Sequence, residues 1–204
     1  MKVVESLEGV GSIDFVVLTG DGIWELRVLK GIQKKFPCTL TLFYPKLPLL
    51  KKTGKSVYEA IPVYVTKYRV NKFFVLCDNE HHKSFDEDLK ILKNLNIKIL
   101  KAEKLVEDRI FYILGEFASR ELEIYVAIQG FNRAKDCKGL NEEISRLIYL
   151  KFDEEVEPDH GKIRKFLRKK RIDLKELVEQ AGVKYLQSSL TIYNALKIIH
   201  NREF

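Results

Sequence analysis

Cysteine is scarce in this sequence, and its placement argues against the usual covalent supports of small proteins. The chain has 204 residues and three cysteines, Cys38, Cys77 and Cys137. Because the cysteines are widely spaced and odd in number, they suit neither a disulfide framework nor a CxxC zinc site. With 46% apolar residues, we expect a chain that folds around a hydrophobic core in a reducing, cytoplasmic compartment.

Long apolar runs and methionine are also scarce. No stretch approaches the roughly 20 consecutive apolar residues of a membrane-spanning helix, and the chain does not start with a basic segment followed by an apolar one. We therefore expect no membrane association. A single methionine, few glutamines and many Lys, Glu, Ile and Leu residues are typical of proteins from thermophiles.

The first half of the chain alternates between strand and helix patterns. Residues 13–22 form a β-branched run that ends in a glycine-containing turn, and residues 23–36 have apolar positions at nearly helical spacing. Further strands are indicated at residues 38–44, 73–77 and 97–100. This alternation predicts an α/β fold, Rossmann-like, in which helices cover both faces of a mostly parallel sheet.

The second half of the chain has a different pattern. Residues 109–131 contain two strand-like segments around a short turn, which indicates a β-hairpin that extends the sheet. From residue 140 onward the pattern is helical, and the acidic, proline-containing residues 153–159 are the best candidate boundary. We therefore predict an α/β domain over residues 1–152 and a basic helical C-terminal region over residues 153–204.

Acidic residues follow two strands that should lie at the centre of the sheet. Asp78 and Glu80 follow the apolar run at 73–77, and Asp21 and Glu25 follow the first strand. Since residues two apart in extended backbone point to the same side, Asp78 and Glu80 can share one Mg²⁺ or Mn²⁺ ion. If the first and third strands are neighbours, Asp21 or Glu25 faces them across one crevice. Such a set of carboxylates suits metal-assisted phosphoryl chemistry.

Each acidic group also has a purely structural interpretation. The Asp78-Asn79 pair suits the start of a turn, and residues 80–82 suit a solvated loop. The two histidines of that loop can otherwise bind a metal or transfer a proton. Asp21 and Glu25 suit the first turn of a helix, where a negative charge complements the helix dipole.

The two acidic motifs resemble those of the Toprim domain of topoisomerases, bacterial primases and overcoming-lysogenization-defect nucleases. In that family a Glu at the end of the first strand acts in acid/base catalysis, and a later Asp-x-Asp holds the metal. Residues 78–80 match the second motif with Glu80 for the second Asp, whereas Thr19 occupies the place of the family's Glu. Asp21 or Glu25 is then the possible catalytic substitute.

The resemblance covers about residues 13–100 and implies a metal-dependent nuclease or a related phosphotransferase. Because Thr19 replaces the catalytic Glu, the alternative is a catalytically inactive Toprim-like module that binds nucleic acid or a protein. A third possibility is a Rossmann-like interaction protein whose many charges reflect only a hot environment.

Positive charge is concentrated near the C-terminus. The formal net charge of +7 favours an anionic partner, and residues 162–171 interleave cations with three apolar residues that share one helical face. We predict that this segment contacts the backbone of a nucleic acid from outside the acidic cluster, with a solvated surface as the alternative. A phosphate clamp at Arg133 and Lys135 is a further candidate, with a polar turn as the equal alternative. The predicted contact residues of the segment are Lys162, Arg164, Lys165, Arg168, Lys169 and Arg171.

Overall fold

Seven strands form one sheet. The computed structural model describes residues 1–20, 22–45, 54–131 and 139–203, and only the backbone of residues 54–56. The strands are β1 (Lys2–Val4), β2 (Phe15–Leu18), β3 (Thr41–Phe43), β4 (Lys72–Asp78), β5 (Lys98–Val106), β6 (Ile110–Phe117) and β7 (Arg120–Gln129). Their order in the sheet is β1-β3-β2-β4-β7-β6-β5. The first five strands in this order are parallel, and β6 and β5 continue the sheet in antiparallel fashion. The predicted α/β fold with a mostly parallel sheet is confirmed.

Eight helices lie in the described part of the chain, and several begin at recognisable caps. Ser84 and Asp159 each accept a hydrogen bond from the backbone N–H three residues later, and Asp173 forms a reciprocal capping box with Glu176. The helices are α1 (Ile23–Ile32), α2 (Ile61–Tyr68), α3 (Phe85–Asn94), α4 (Gly139–Phe152), α5 (His160–Lys169), α6 (Leu174–Gln180), α7 (Val183–Ser189) and α8 (Thr191–Glu203). None of these helices combines the length and the apolar composition that a bilayer crossing requires.

Strand β4 shows why the sheet is covered on both faces. Successive side chains of a strand point to opposite sides, and in β4 both sets are apolar. Phe74 and Leu76 pack with α1, α4 and the C-terminal helices, whereas Phe73 and Val75 pack with α2 and α3. Full burial of each such side chain stabilises the fold by roughly 1.5–3 kcal/mol. A strand with this composition is stable only at the centre of a covered sheet.

The crevice between β2 and β4 is the topological switch point of the sheet. The two strands pair in parallel, with Val16 opposite Phe73 and Leu18 opposite Val75, as the sequence predicts. From β2 the chain passes through α1 on one face to β3, and it then returns through α2 on the other face to β4. Ligands of open α/β sheets bind at the carboxyl ends of the strands that flank such a point.

The antiparallel part of the sheet is arranged differently from the simple alternation predicted. The hairpin of β6 and β7 does not follow β5 outward, because β7 pairs with β4 from Lys72 opposite Glu123 to Asp78 opposite Gln129. Strand β5, expected as a further strand of the alternating series, is the antiparallel edge strand. The reason is burial: β7 is apolar on both faces, whereas β5 exposes several lysines, and charged side chains suit an edge.

The C-terminal helices belong to the same hydrophobic core as the sheet. Ile163 and Leu167 of α5 lie in one buried cluster with Phe15 of β2 and Phe74 of β4. Helix α6 approaches α1 so closely at Gly31 that a Cβ there would lie 2.7 Å from both the carbonyl oxygen of Lys175 and the Cβ of Val178. Residues 153–203 therefore cover one face of the sheet and extend beyond its carboxyl edge.

Candidate functional site

A cavity of about 570 Å³ opens at the carboxyl ends of β2 and β4. Its lining comes from the first turns of α1, the loop after β4, the start of α4, and α5 with the segment that leads into α6. The cavity therefore occupies the switch point where the topology predicts a ligand. Acidic, basic and aromatic side chains all line it.

Three predicted acidic residues meet at this cavity. Glu25, in the first turn of α1, is only 8% exposed, and it lines the cavity together with Asp78 and Glu80. The predicted proximity of these carboxylates is confirmed, because β2 and β4 are neighbours and their carboxyl ends lie at one edge of the sheet. Asp21, the other predicted catalytic candidate, lies outside the described residues.

Asp78 has a structural partner at the cavity. Its Oδ1 accepts a hydrogen bond of 3.2 Å from the backbone N–H of Leu140, so it caps α4 from a neighbouring strand. A Cβ on Gly139 would lie 1.8 Å from the same oxygen, and Gly139 has a φ of +24°. The structural interpretation thus applies to Asp78 both through α4 and through its own turn, because its carbonyl oxygen accepts a hydrogen bond of 3.0 Å from the backbone N–H of His81. Glu80 lies in this turn, so the expectation that extended backbone places it on the same side as Asp78 is wrong.

The two histidines after β4 diverge, and neither lines the cavity. His81 is exposed and lies 3.3 Å from Glu80 through its Nε2 atom. His82 is buried on the opposite face of the sheet, where its Nε2 lies 2.8 Å from Asp88 Oδ2 and its ring stacks on Phe111 with the centroids 5.6 Å apart. The predicted surface loop is therefore correct for His81 and wrong for His82, which ties the loop to α3.

The carboxylates suit a hard metal ion only in combination with other ligands. Within the described ranges, no group of three or more His, Cys, Asp or Glu side chains is placed to hold a metal. Mg²⁺ needs fewer protein ligands, since it commonly binds one or two carboxylates and completes its shell with water and substrate phosphate. The donors Asp78 and Glu80 fit that requirement, and Mg²⁺ or Mn²⁺ binding stays a prediction.

Arginine side chains line the same cavity. Arg27 of α1 and Arg164 and Arg168 of α5 contribute to the lining, and no ion pair involves any of them in the part of the chain that the structure describes. The expectation that residues 162–171 lie outside the acidic cluster is therefore wrong. The apolar face of α5 packs on the core, which directs residues 164 and 168 into the crevice.

The remaining cations of the basic segment are divided between ion pairs and solvent. Lys162 pairs with Glu157, and Lys170 pairs with Glu154. Lys165, Lys169 and Arg171 are exposed and do not line the cavity. Arg133 and Lys135, the predicted phosphate clamp, lie outside the described residues.

Sequence reasoning missed the aromatic residues of the cavity. Trp24 and His160 both line it, with ring centroids 4.2 Å apart and an interplanar angle of 35°. A signal was available, because Trp24 is the only tryptophan and is absent from the predicted helical series of apolar residues, which are positions 23, 26, 28, 29, 32 and 36. Ile23, assigned to those positions, is 66% exposed, since the first turn of α1 extends beyond the edge of the sheet.

A buried carboxylate supports the structure at the neighbouring end of β7. Glu143 of α4 is fully buried and accepts hydrogen bonds from the backbone N–H of Gly130 at 2.9 Å and of Thr191 at 3.0 Å. Its Oε1 also accepts from the Thr191 hydroxyl at 2.6 Å. Burial raises the pKa of Glu143 to about 7, although the hydrogen bonds from Thr191 and Gly130 oppose this shift. Glu143 joins α4, the end of β7 and the start of α8.

Comparison with known proteins identifies no relative of this chain. No protein-family model, no curated protein and no solved structure matches the chain. The resemblance of residues 78–80 to the Toprim motif stays a prediction. The geometry of the cavity is therefore the basis for the proposed function.

Proposed function

We propose that the cavity binds a phosphodiester of nucleic acid and acts on it with Mg²⁺ or Mn²⁺, as a Toprim-like nuclease or related phosphotransferase. One observation carries the proposal: carboxylates line a single cavity at the switch point of the sheet, together with arginines that form no ion pair among the described residues. A metal-bound phosphate complements both sets of side chains. The metal ion binds the carboxylates, and the phosphate oxygens accept hydrogen bonds from the guanidinium groups.

The proposed roles follow from the positions of the side chains. Asp78 and Glu80 would hold the ion, which supplies neutralisation of the developing charge and activation of water when bound. Arg164 and Arg168 would orient the phosphate by charge-assisted hydrogen bonds. Glu25, buried beside them, or Asp21 would accept the proton of the attacking water.

A cleavage assay with labelled DNA and RNA tests this function. We expect products in Mg²⁺ or Mn²⁺, none in EDTA, and a loss of at least about 100-fold in rate for Glu25→Gln and for Glu80→Gln. Glu107→Gln is the matched control, because Glu107 is an exposed carboxylate in the turn between β5 and β6 and does not line the cavity. Equal rates for all three variants would place the cleavage activity elsewhere.

A second candidate is a module that binds nucleic acid without cleaving it. Thr19 stands where the resembling family has its catalytic Glu, and one oxygen of Asp78 is engaged with α4. This candidate predicts binding that weakens steeply with salt, together with no metal-dependent products. Binding of neither DNA nor RNA at two salt concentrations would instead favour a protein-interaction role.

A further inference from the structure

We infer that the cavity is a pocket for one nucleotide unit, which receives the phosphorylated end of a single strand, with the base against Trp24 and His160 and the phosphate between Arg164 and Arg168. The inference rests on the proposed function, from which it takes nucleic acid as the class of ligand. It goes further in assigning the part of the nucleic acid that enters. Three features of the cavity lead to it.

The first feature is the arginine pair. Arg164 and Arg168 are four residues apart on α5, so they lie on the same side of the helix with their Cβ atoms about 5–6 Å apart, and both line the cavity. Two guanidinium groups at this spacing can donate to different oxygens of one phosphate. The pair therefore offers two adjacent donors to one phosphate in the cavity.

The second feature is the aromatic side of the cavity, formed by Trp24 and His160. The two rings are already associated, with centroids 4.2 Å apart. Aromatic rings hold nucleobases by stacking, and this contact tolerates every base because each has a π-face. His160 begins α5 and Arg164 lies one turn later, so the aromatic side and the phosphate position are adjacent on one helix.

The third feature is the size of the cavity. A volume of about 570 Å³ lies within the range of about 300–1,000 Å³ for pockets that hold small molecules and cofactors. Residues 172–174, which lead from α5 into α6, also line the cavity, and α6 packs against α1 at Gly31. A duplex does not fit into such a space. An internal nucleotide would enter only with the strand continuing from both of its sides, whereas the strand continues from one side of a terminal nucleotide.

Trp24 makes the inference testable in the unmodified protein. As the only tryptophan of the chain, it reports by its fluorescence on any base that stacks in the cavity. We would titrate the protein in EDTA with a nucleoside 5′-monophosphate, inorganic phosphate, a linear 5′-phosphorylated strand, the same strand ligated into a circle, and the corresponding duplex. The expected result is a saturable change in emission with the monophosphate and the linear strand, and none with the circle or the duplex.

Each other outcome overturns a defined part of the inference. An equal emission change with linear and circular strands would show that internal nucleotides enter, which contradicts the role of the strand end. A change with the monophosphate alone would identify a free nucleotide as the ligand. The absence of a change with every nucleotide ligand would remove the pocket altogether.

A pair of matched variants tests the phosphate position separately. Arg164→Gln with Arg168→Gln should weaken binding of a fluorescent nucleoside monophosphate by on the order of 100-fold. Lys165→Gln with Lys169→Gln removes the same charge from the same helix outside the cavity, so it should alter that affinity by less than about threefold. Equal losses in the two variants would assign the effect to net charge and overturn the arginine clamp.

The pocket and the proposed function fail in different ways. All the binding measurements are made in EDTA, so they do not depend on cleavage. A specific emission change without any metal-dependent products would retain the pocket and reject the nuclease. Cleavage of circular and linear strands at equal rates, with no emission change, would retain the nuclease and reject the pocket.

Discussion

Glu143 shows how a single buried side chain makes the stability of this fold depend on pH. It is fully buried, and burial raises its pKa to about 7 from an ordinary 4.5. Because the folded state binds this proton more tightly than the unfolded state, the stabilising contribution is complete below about pH 4.5 and is lost as the pH rises through about 7. The ionised form should lower the free energy of unfolding by up to about 3 kcal/mol relative to the protonated form.

Urea unfolding between pH 5 and pH 8 checks this dependence, with Glu143→Gln as the reference. The variant has no titrating group at this position, so the free energy of unfolding of the wild type should fall relative to that of the variant as the pH rises. Other titrating groups affect both proteins alike. A wild-type free energy of unfolding that stays constant or rises with pH, relative to that of Glu143→Gln, would contradict the assignment.

Asp78 has a structural contact that can be separated from its proposed metal site. Asp78→Ala removes the acceptor for the Leu140 N–H and should lower the free energy of unfolding by about 1 kcal/mol. Asp78→Asn keeps an acceptor oxygen and should cost less than about half of that, yet it should still weaken metal binding because the charge is lost. Chemical denaturation and a Mn²⁺ titration of both variants check the two effects. Equal destabilisation would show that the cap does not stabilise α4.

At the scale of elements, the approach of α6 to α1 determines how the C-terminal helices lie over the crevice. Gly31→Ala would place a Cβ 2.7 Å from the carbonyl oxygen of Lys175. The gain in helix propensity of about 1 kcal/mol should be outweighed by overpacking of about 1–3 kcal/mol. We therefore expect a lower unfolding midpoint and a change in Trp24 emission, because the cavity lies beside this contact.

Gly161→Ala is the matched control for Gly31→Ala. Gly161 is also helical, in the first turn of α5, and the nearest atom to a Cβ there is a side-chain oxygen of Asp159 at 3.2 Å. This change should shift the free energy of unfolding by no more than about 1 kcal/mol, without the loss expected from overpacking. If both variants are equally stable, the α1 and α6 helices have room to separate and the close contact is not required.

At the scale of the whole molecule, the helices after residue 152 complete the core. Ile163 and Leu177 belong to the same buried cluster as Phe15 and Phe74 of the central strands. A fragment of residues 1–152 would expose that face of the sheet, so we expect it to lose cooperative thermal unfolding and to bind a hydrophobic dye. Near-ultraviolet circular dichroism, compared with that of the full chain, checks this. A fragment with an unchanged spectrum and midpoint would show that the sheet is stable without these helices.

The sequence by itself determined most of the strands and helices and the faces that they bury, although it did not predict β1 and it assigned Ile23 to a buried face. The apolar run before Asp78 predicted a central strand, and residues 109–131 predicted a hairpin, because strand patterns and turns depend on residues close together in the chain. The neighbouring positions of the first and third strands followed from the common order of doubly wound sheets. Local patterns and this common order were therefore sufficient to place Glu25, Asp78 and Glu80 at one crevice.

Only the tertiary structure decided what completes that crevice. The apolar face of α5 was evident from its spacing, but the period of a helix does not say which surface that face will cover. Packing of Ile163 and Leu167 on the core turned Arg164 and Arg168 toward carboxylates more than 80 residues earlier, and the same packing placed His160 against Trp24. The pairing of β7 with β4 was likewise a matter of burial. These contacts join segments that are distant in the chain, and a local pattern contains no information about such partners.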